Sequence, residues 1–340
     1  MITKKRFLEI SNEFKHKKIA VVGDFFLDKY LFFDTNCAEI SIETGKIANQ
    51  VVKIKHSPGA AGNILSNLTA LGAKEVIPIG FTGDDGQGYE LRNDIKALGS
   101  TDIYLTVAKD MHTPTYMKPQ NIDIIGLSGE NERYDIKNRK PLSLDVEDKI
   151  INSLRTIIPI VEGVIIADQV EVEKANCGAI TDRVREELIR LSYEHPSVIF
   201  WVDSRLRLGK FSNMTLKPNK EEAVKNTLGK DTEITKENYI IAGKKLFSLS
   251  GKPVFMTQSE NGILIFKNET TQIHIPAFPV NGEIDPTGAG DSTSSGIVLS
   301  LASEASLEEA ATIGVLTSAI TIKKLGTTGT ATPEEIAKKL

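Results

Sequence analysis

A mainly parallel α/β sheet covered by helices on both faces, a three-layer α/β/α arrangement, is the fold class that this sequence predicts. Three observations carry it. Short apolar runs end in an acidic residue at Lys18–Asp24, Val164–Asp168 and Val198–Asp203, and buried parallel strands read as such continuous runs. From Leu144 onward these runs alternate with helical patterns, which is the signature of repeated strand–helix units. Two stretches stand apart: Tyr30–Lys55 has no helical period, and Asp110–Arg133 alternates polar with apolar residues. They are expected to leave the main sheet as a small β excursion.

In order along the chain, the strand ending at Asp24 has no Gly-x-Gly-x-x-Gly after it, which disfavours a dinucleotide fold. Ser57-Pro-Gly-Ala-Ala-Gly-Asn63 precedes a helix over Ile64–Leu71. Small residues there admit a ligand to a helix start, and the plain alternative is a turn with a capping Asn. Ala73–Gly83 reads as a strand, Tyr89–Leu98 as a helix closed by Gly99, and Ile103–Val107, Thr115–Pro119 and Ile122–Leu127 as short strands. Helices are expected at Val146–Ile158, Ala179–Tyr193 and Ala242–Leu249, a strand at Val254–Thr257, and a hairpin of Ile263–Phe266 with Gln272–Ile275. Ser306 with Glu309, and Thr332-Pro333 with Glu335, have the spacing of helix N-termini. A single domain over 1–340 is expected, since no linker, repeat or low-complexity tract interrupts the pattern.

The 340 residues are 40% apolar with a formal net charge of −4. Scattered Lys and Arg give no pull towards nucleic acid or an anionic membrane. Cys37 and Cys177 form no Cys-x-x-Cys, which argues against a disulfide scaffold or zinc site and fits a reducing compartment. Met1–Ile10 lacks the apolar core of a signal peptide, and no apolar run approaches about 18 residues. A cytoplasmic protein is expected. His56, His112, His195 and His274 lie apart in the sequence and read as surface or loop residues.

The chemistry concentrates at Asp285-Pro-Thr287-Gly288-Ala289-Gly290-Asp291, which joins an extended segment to an apolar helical run. The glycines let a phosphate approach the backbone, and the open amides of a helix start favour an anion. Asp291 adds a base beside that anion site, as phosphoryl transfer to a hydroxyl requires. Earlier, Asn219 and Glu222 stand three apart at a helix start. They read either as a capping pair or as groups that position Mg²⁺ waters and nucleotide phosphates.

These motifs, in this order, resemble the ribokinase-like (PfkB) sugar kinases over nearly the whole chain. Within that family the sequence looks most similar to the D-glycero-D-manno-heptose-7-phosphate kinases. Val21-Val-Gly-Asp24-x-x-Leu-Asp28-x-Tyr30, Pro58–Asn63, Ala70–Ala73, Phe81–Asp85, Pro218-Asn219 and Lys324–Thr327 carry that likeness. The resemblance implies an ATP- and Mg²⁺-dependent kinase, with Asp291 as base and the backbone of Gly288, Ala289 and Gly290 as anion hole. It implies that Asp24, Asp28, Gly59 and Asn63 hold sugar hydroxyls and that Arg133 meets a sugar phosphate. Asn219 and Glu222 would serve Mg·ATP, with Glu222 meeting Mg²⁺ through water. Thr257, Ser259 and Gly262 would border the nucleotide, and Asp285 and Thr287 would bind a monovalent cation such as K⁺. The excursions at about 30–57 and 103–137 match the family's small β lid over the sugar, whose edge pairs two subunits in relatives, so a homodimer is expected.

The chain departs from the family at three places. Gly59-Ala60-Ala61-Gly62-Asn63 lacks the usual double glycine, Asp203-Ser-Arg205 replaces Asp-Pro-Lys, and Glu39-Ile-Ser-Ile-Glu43 replaces Arg-Ile-Ser-Pro-Glu. A phosphorylated acceptor would lose a cationic partner at Glu39. No nucleotidyltransferase module follows, so a kinase alone is expected. A nucleoside kinase on the same scaffold, or a sugar- or nucleotide-binding regulator, is the alternative.

Overall fold

The computed structural model describes residues 2–124, 127–172, 176–326 and 328–340. After helix α1 (Lys4–Ser11) the first strand, β1 (Lys18–Gly23), runs into a long hairpin, β2 (Phe25–Ile40) and β3 (Ile47–Ala60). Next come α2 (Ala61–Ala70), β4 (Glu75–Gly83), α3 (Gly86–Ala97), β5 (Leu105–Ala108), β6 (Thr115–Asn121) and β7 (Tyr134–Ile136). The second half contains α4 (Leu144–Ile157), β8 (Gly163–Asp168), α5 (Asp182–Glu194), β9 (Ile199–Ser204), β10 (Thr215–Leu216), α6 (Lys220–Thr227) and α7 (Lys236–Ser250). It closes with β11 (Val254–Thr257), β12 (Ile263–Phe266), β13 (Gln272–Ile275), α8 (Ala289–Ala302), α9 (Leu307–Thr321) and α10 (Pro333–Lys339).

Among the described residues the main sheet has nine strands, ordered β13-β12-β11-β10-β9-β8-β1-β4-β5. It is parallel from β11 to β5, and β12 and β13 add an antiparallel edge. The period-two alternation of a strand divides each run between two cores. Ala20, Val22, Val164, Ile166, Val202 and Met256 face one core with α4, α5 and α7. Ile19, Val21, Ile165, Trp201 and Phe255 face the other with α2, α8 and α9. This is the expected three-layer α/β/α fold.

The small sheet has the order β3-β2-β6-β7. Its membership differs from the expectation at both ends. β2 starts at Phe25, directly after β1, because Phe25, Phe26 and Leu27 are buried at the junction. β5 lies parallel to β4 in the main sheet rather than in the small one, since its apolar residues Leu105 and Ala108 join the main cores. Ile122–Asp123 turn back rather than forming the start of a strand. Ile125 and Gly126 of that expected strand, and Thr327 of the Lys324–Thr327 stretch, lie outside the described residues.

The small sheet is tied to the main body at its root. Lys29 and His56 are cross-strand partners, and each meets a carboxylate one helical turn apart on α3. Lys29 Nζ contacts both oxygens of Glu90 at 2.8 and 2.7 Å, and His56 Nδ1 lies 2.7 Å from Asp94 Oδ2. Both capping boxes read from the sequence, Ser306 with Glu309 and Thr332 with Glu335, are formed. Among the described residues no helix is long and apolar enough to cross a membrane.

Candidate active site

The site forms where the C-terminal ends of the parallel strands meet three helix starts, the rim where α/β sheets bind ligands. The Gly-rich loop ends at Gly288, in the left-handed region at φ 75°. A Cβ there would stand 2.5 Å from Thr328 Cγ2, so the position needs glycine. Ala289 N–H donates to Pro286 O at 3.1 Å. The amides of Gly290 and Asp291 are then the open ones at the start of α8.

Asp291 stands in the first turn of α8 and accepts a hydrogen bond from Asn63 Nδ2 at 3.0 Å. Burial, then the nearby Asp203 carboxylate, push its pKa up to about 7, against the opposing pull of Asn63 and Lys217. Asp203 forms an ion pair with Lys217 at 2.9 Å, and both side chains are buried. Lys217 Nζ also lies 3.5 Å from where a Cβ on Gly290 would stand. Burial works against the Lys217 charge, but Asp203, Glu222 and Asp291 outweigh it and raise its pKa. An ammonium is thus fixed against the open helix start. Lys217 was not singled out from the sequence. Its signal was a lysine directly before Pro218-Asn219, at the end of an apolar strand.

Asn219 and Glu222 form a full capping box. Asn219 Oδ1 accepts from Glu222 N, and Glu222 Oε2 accepts from Asn219 N, both at 2.8 Å. The capping alternative is therefore realised, and it also holds both side chains at the rim. Burial raises the Glu222 pKa, with Lys217 opposing. Thr257 N–H donates to Pro218 O at 2.9 Å, which sets Thr257 beside Asn219. Ser259 and Gly262 (φ 84°) make the tight turn from β11 to β12, where a Cβ on Gly262 would meet Ile275 O at 2.0 Å.

The residues expected to hold an acceptor divide into two groups. Asp28, Gly59 and Asn63 gather at the junction of the small sheet with α2. Gly59 lies in β3, not in a loop, and a Cβ there would stand 2.9 Å from the Asp28 carboxylate. Asp28 pairs with Lys118 at 3.3 Å, and burial outweighs that lysine to raise its pKa. Asn63 Oδ1 is a buried acceptor without a hydrogen-bond donor, whereas Asp28 Oδ1 is the oxygen that faces Lys118 Nζ. Asp24 behaves differently. Its oxygens accept the amides of Gln169 (2.9 Å), Val170 (3.1 Å) and Ala179 (2.7 Å). Burial, then Asp168, raise its pKa to about 6. Asp168 is likewise engaged, by Ser204 Oγ at 2.6 Å and Arg207 at 2.9 Å. Of the three strand-end acids, only Asp203 joins Asp291, because the other two brace the loop after β8.

Arg133 pairs with Asp135 at 2.7 Å, and its guanidinium lies 4.5 Å over the Tyr116 ring of the small sheet. Asp285 is buried, and its Oδ1 accepts Thr287 N at 3.0 Å. Among the described residues no cluster of three His, Cys, Asp or Glu could hold a metal by itself.

The chain matches the family model described as pfkB family carbohydrate kinase over residues 213–335. It is 31% identical over 319 residues to an uncharacterized sugar kinase of Buchnera aphidicola, covering 92% of this chain and 93% of that one. It is 32% identical over 323 residues to the bifunctional protein HldE of Nitratiruptor, covering 94% of this chain and 64% of the relative. The chain thus spans less than two thirds of the HldE relatives it matches, 65% for the Bradyrhizobium protein. Phosphofructokinase-2 from Escherichia coli, solved with fructose-6-phosphate, shares the fold at a TM-score of 0.68 and 20% identity. That comparison covers 95% of this chain and 97% of the other.

Proposed function

We propose, on the premise that this chain belongs to the PfkB family of carbohydrate kinases, that it transfers the γ-phosphoryl group of ATP to a hydroxyl of a sugar or sugar phosphate. One observation carries the sugar reading. Asn63 Oδ1 is a buried acceptor lacking a donor while Asn63 Nδ2 is bonded to Asp291, and buried Asp28 beside it has Lys118 at 3.3 Å from its Oδ1. A buried acceptor left unmatched costs stability, and a polyol hydroxyl would satisfy Asn63 Oδ1 while lying beside the base, with a second hydroxyl at Asp28. A heptose 7-phosphate is a candidate acceptor, supported by the HldE relatives.

In this reading Asp291 accepts the proton of the attacking hydroxyl. Its pKa of about 7 suits a base working near neutral pH. Asn63 orients the carboxylate by holding one of its oxygens. The open amides of Gly290 and Asp291, with Lys217, face the charge on the moving phosphoryl group. Asp203 keeps Lys217 charged and in place.

Mg²⁺ arriving with ATP would be met by Glu222 through water, since Mg²⁺ usually keeps several waters and needs few protein carboxylates. When bound, it would offset phosphate charge. Asn219, Thr257, Ser259 and Gly262 would border the nucleotide. Asp285, buried and without an ion-pair partner among the described residues, fits a monovalent cation. Equal rates in K⁺ and in a non-binding cation would remove that assignment.

The small sheet would act as a lid that excludes water. Exposed Ile40, Ile47, Val52 and Ile54 on its hairpin suit pairing with a second copy. A monomer by sedimentation at micromolar concentration would count against the dimer. Use of ATP fits a cytoplasmic enzyme. The function is tested by ADP release from Mg·ATP against free sugars, phosphosugars and nucleosides. Acceptor-dependent release with a sugar supports it. Preference for a nucleoside favours the nucleoside-kinase alternative, and silence with ATP still bound favours a regulator.

A further inference from the structure

We propose that the acceptor carries an anionic group, phosphate or carboxylate, which is seated by Lys53 and Lys55 on the inner face of the small sheet. The assignment rests on the kinase reading above. A cavity of about 370 Å³ lies between this sheet and the Gly-rich loop. The sheet lines it with Tyr30, Phe32, Lys53, Lys55 and Lys118, and the main body with Asp285.

Strand register fixes the order of these groups. Tyr30 pairs with Lys55 on one side and Lys118 on the other, and the next row on the same face holds Phe32 with Lys53. Asp28, Tyr30 and Phe32 alternate onto one face, so the lysines share the face of the carboxylate assigned to acceptor hydroxyls. Successive rows are roughly 7 Å apart. That is about the span from a ring hydroxyl to a terminal phosphate or carboxylate on a hexose or heptose. An acceptor hydroxyl at Asp28 therefore puts a terminal anion beside Lys55, within reach of Lys53.

The cations of the two faces are used differently. On the outer face Lys29 is consumed by Glu90 at 2.7 Å. On the inner face Lys118 is matched by Asp28 at 3.3 Å and donates to Tyr30 Oη at 3.3 Å. Lys53 and Lys55 have no carboxylate at ion-pair distance among the described residues, and the Lys55 ammonium rests 5.5 Å above the Phe32 ring. Two carboxylates also line the cavity. Asp285 is turned to Thr287 N, and Glu130 is placed by a backbone bridge to Gln120 of β6, across β2 from the lysines.

The position where heptose kinases carry arginine does not bear on this cavity. Glu39 pairs with Ala48, five positions from Lys53 on β3, roughly 17 Å along the strand. Its acidic side chain therefore takes no cation from the chain's own acceptor site.

The test compares kcat/KM for a neutral sugar, its terminal phosphate ester and its terminal carboxylic acid. The proteins are the wild type, Lys53→Glu, Lys55→Glu, the double variant, and Lys74→Glu as a surface control. The wild type is expected to prefer an anionic acceptor. The anionic-to-neutral ratio should fall at least tenfold in the double variant and stay unchanged in Lys74→Glu. The phosphate and carboxylate arms tell which anion the site takes. A wild-type preference for the neutral sugar, or a ratio unmoved by the double variant, would overturn the subsite and leave the kinase reading standing. Absence of turnover on every acceptor would overturn both.

Discussion

Asp203 and Lys217 should set the pH at which this enzyme gains activity, and in opposite directions. Asp203 raises the pKa of Asp291 and Lys217 lowers it. Lys217 Nζ sits 2.9 Å from Asp203 and packs against Gly290, next to Asp291. Two carboxylates on either side of one ammonium are on the order of 8 Å apart, where unit charges interact by about 2 kcal/mol at an effective dielectric near 20. Each pH unit corresponds to about 1.4 kcal/mol, so removing one charge should move the Asp291 pKa by roughly one unit. In the proposed role Asp291 must be ionised, so kcat/KM is expected to rise with pH through about 7 in the wild type. Asp203→Asn removes the repulsion and leaves Lys217 to face Asp291, so the rise should move down by about one unit. Lys217→Met removes the attraction and should move it up by a similar amount. The assay is kcat/KM for the best acceptor across the neutral range at saturating Mg·ATP. Lower rates with an unmoved midpoint in both variants, or shifts in the same direction, would refute this coupling.

Three further outcomes follow from the geometry. Gly288→Ala forces a left-handed residue, at about 1–2 kcal/mol, into contact with Thr328. Urea unfolding should show at least that loss, together with greatly reduced turnover, and an unaltered, fully active variant would contradict the reading of the loop. Glu222→Gln keeps an acceptor for the α6 cap but removes a charge, so the rate should need several-fold more Mg²⁺; an identical Mg²⁺ titration would count against the role. Lys29→Met removes one of the two contacts seating the small sheet on α3, a mostly buried pair worth about 1 kcal/mol. It should raise KM for the acceptor several-fold with little change for ATP, whereas equal rises in both would argue against a role at the acceptor side.

The sequence made the layers legible because period-two alternation and strand-ending acids are local features. Capping boxes at Ser306 and Thr332 were legible for the same reason, and so was the Gly288–Asp291 helix start. Long-range partners were not. Asp24 reads as a free rim acid until the amides of Gln169, Val170 and Ala179, some 150 residues away, are seen to fill it. Lys217 reads as an ordinary polar residue until folding sets it between Asp203 and Gly290. The lysines at 53 and 55 were not legible as part of the site, because register with Tyr30 and Phe32 is needed to turn them inward. β5 was misassigned to the small sheet because four residues carry too little pattern to show which sheet they join.

The most direct test of the account is the single-turnover rate of Asp291→Asn with Mg·ATP and the best acceptor, measured beside the ATP dissociation constant. Loss of a general base typically costs about 10²–10⁴ in rate, so a fall in that range with ATP affinity retained is the expected result. The variant should also be more stable than the wild type above neutral pH. The raised pKa of about 7 means that the folded protein's advantage from holding this proton is lost as pH rises through it. A rate within a few-fold of wild type, at equal ATP affinity, would contradict the assignment of Asp291 as the base.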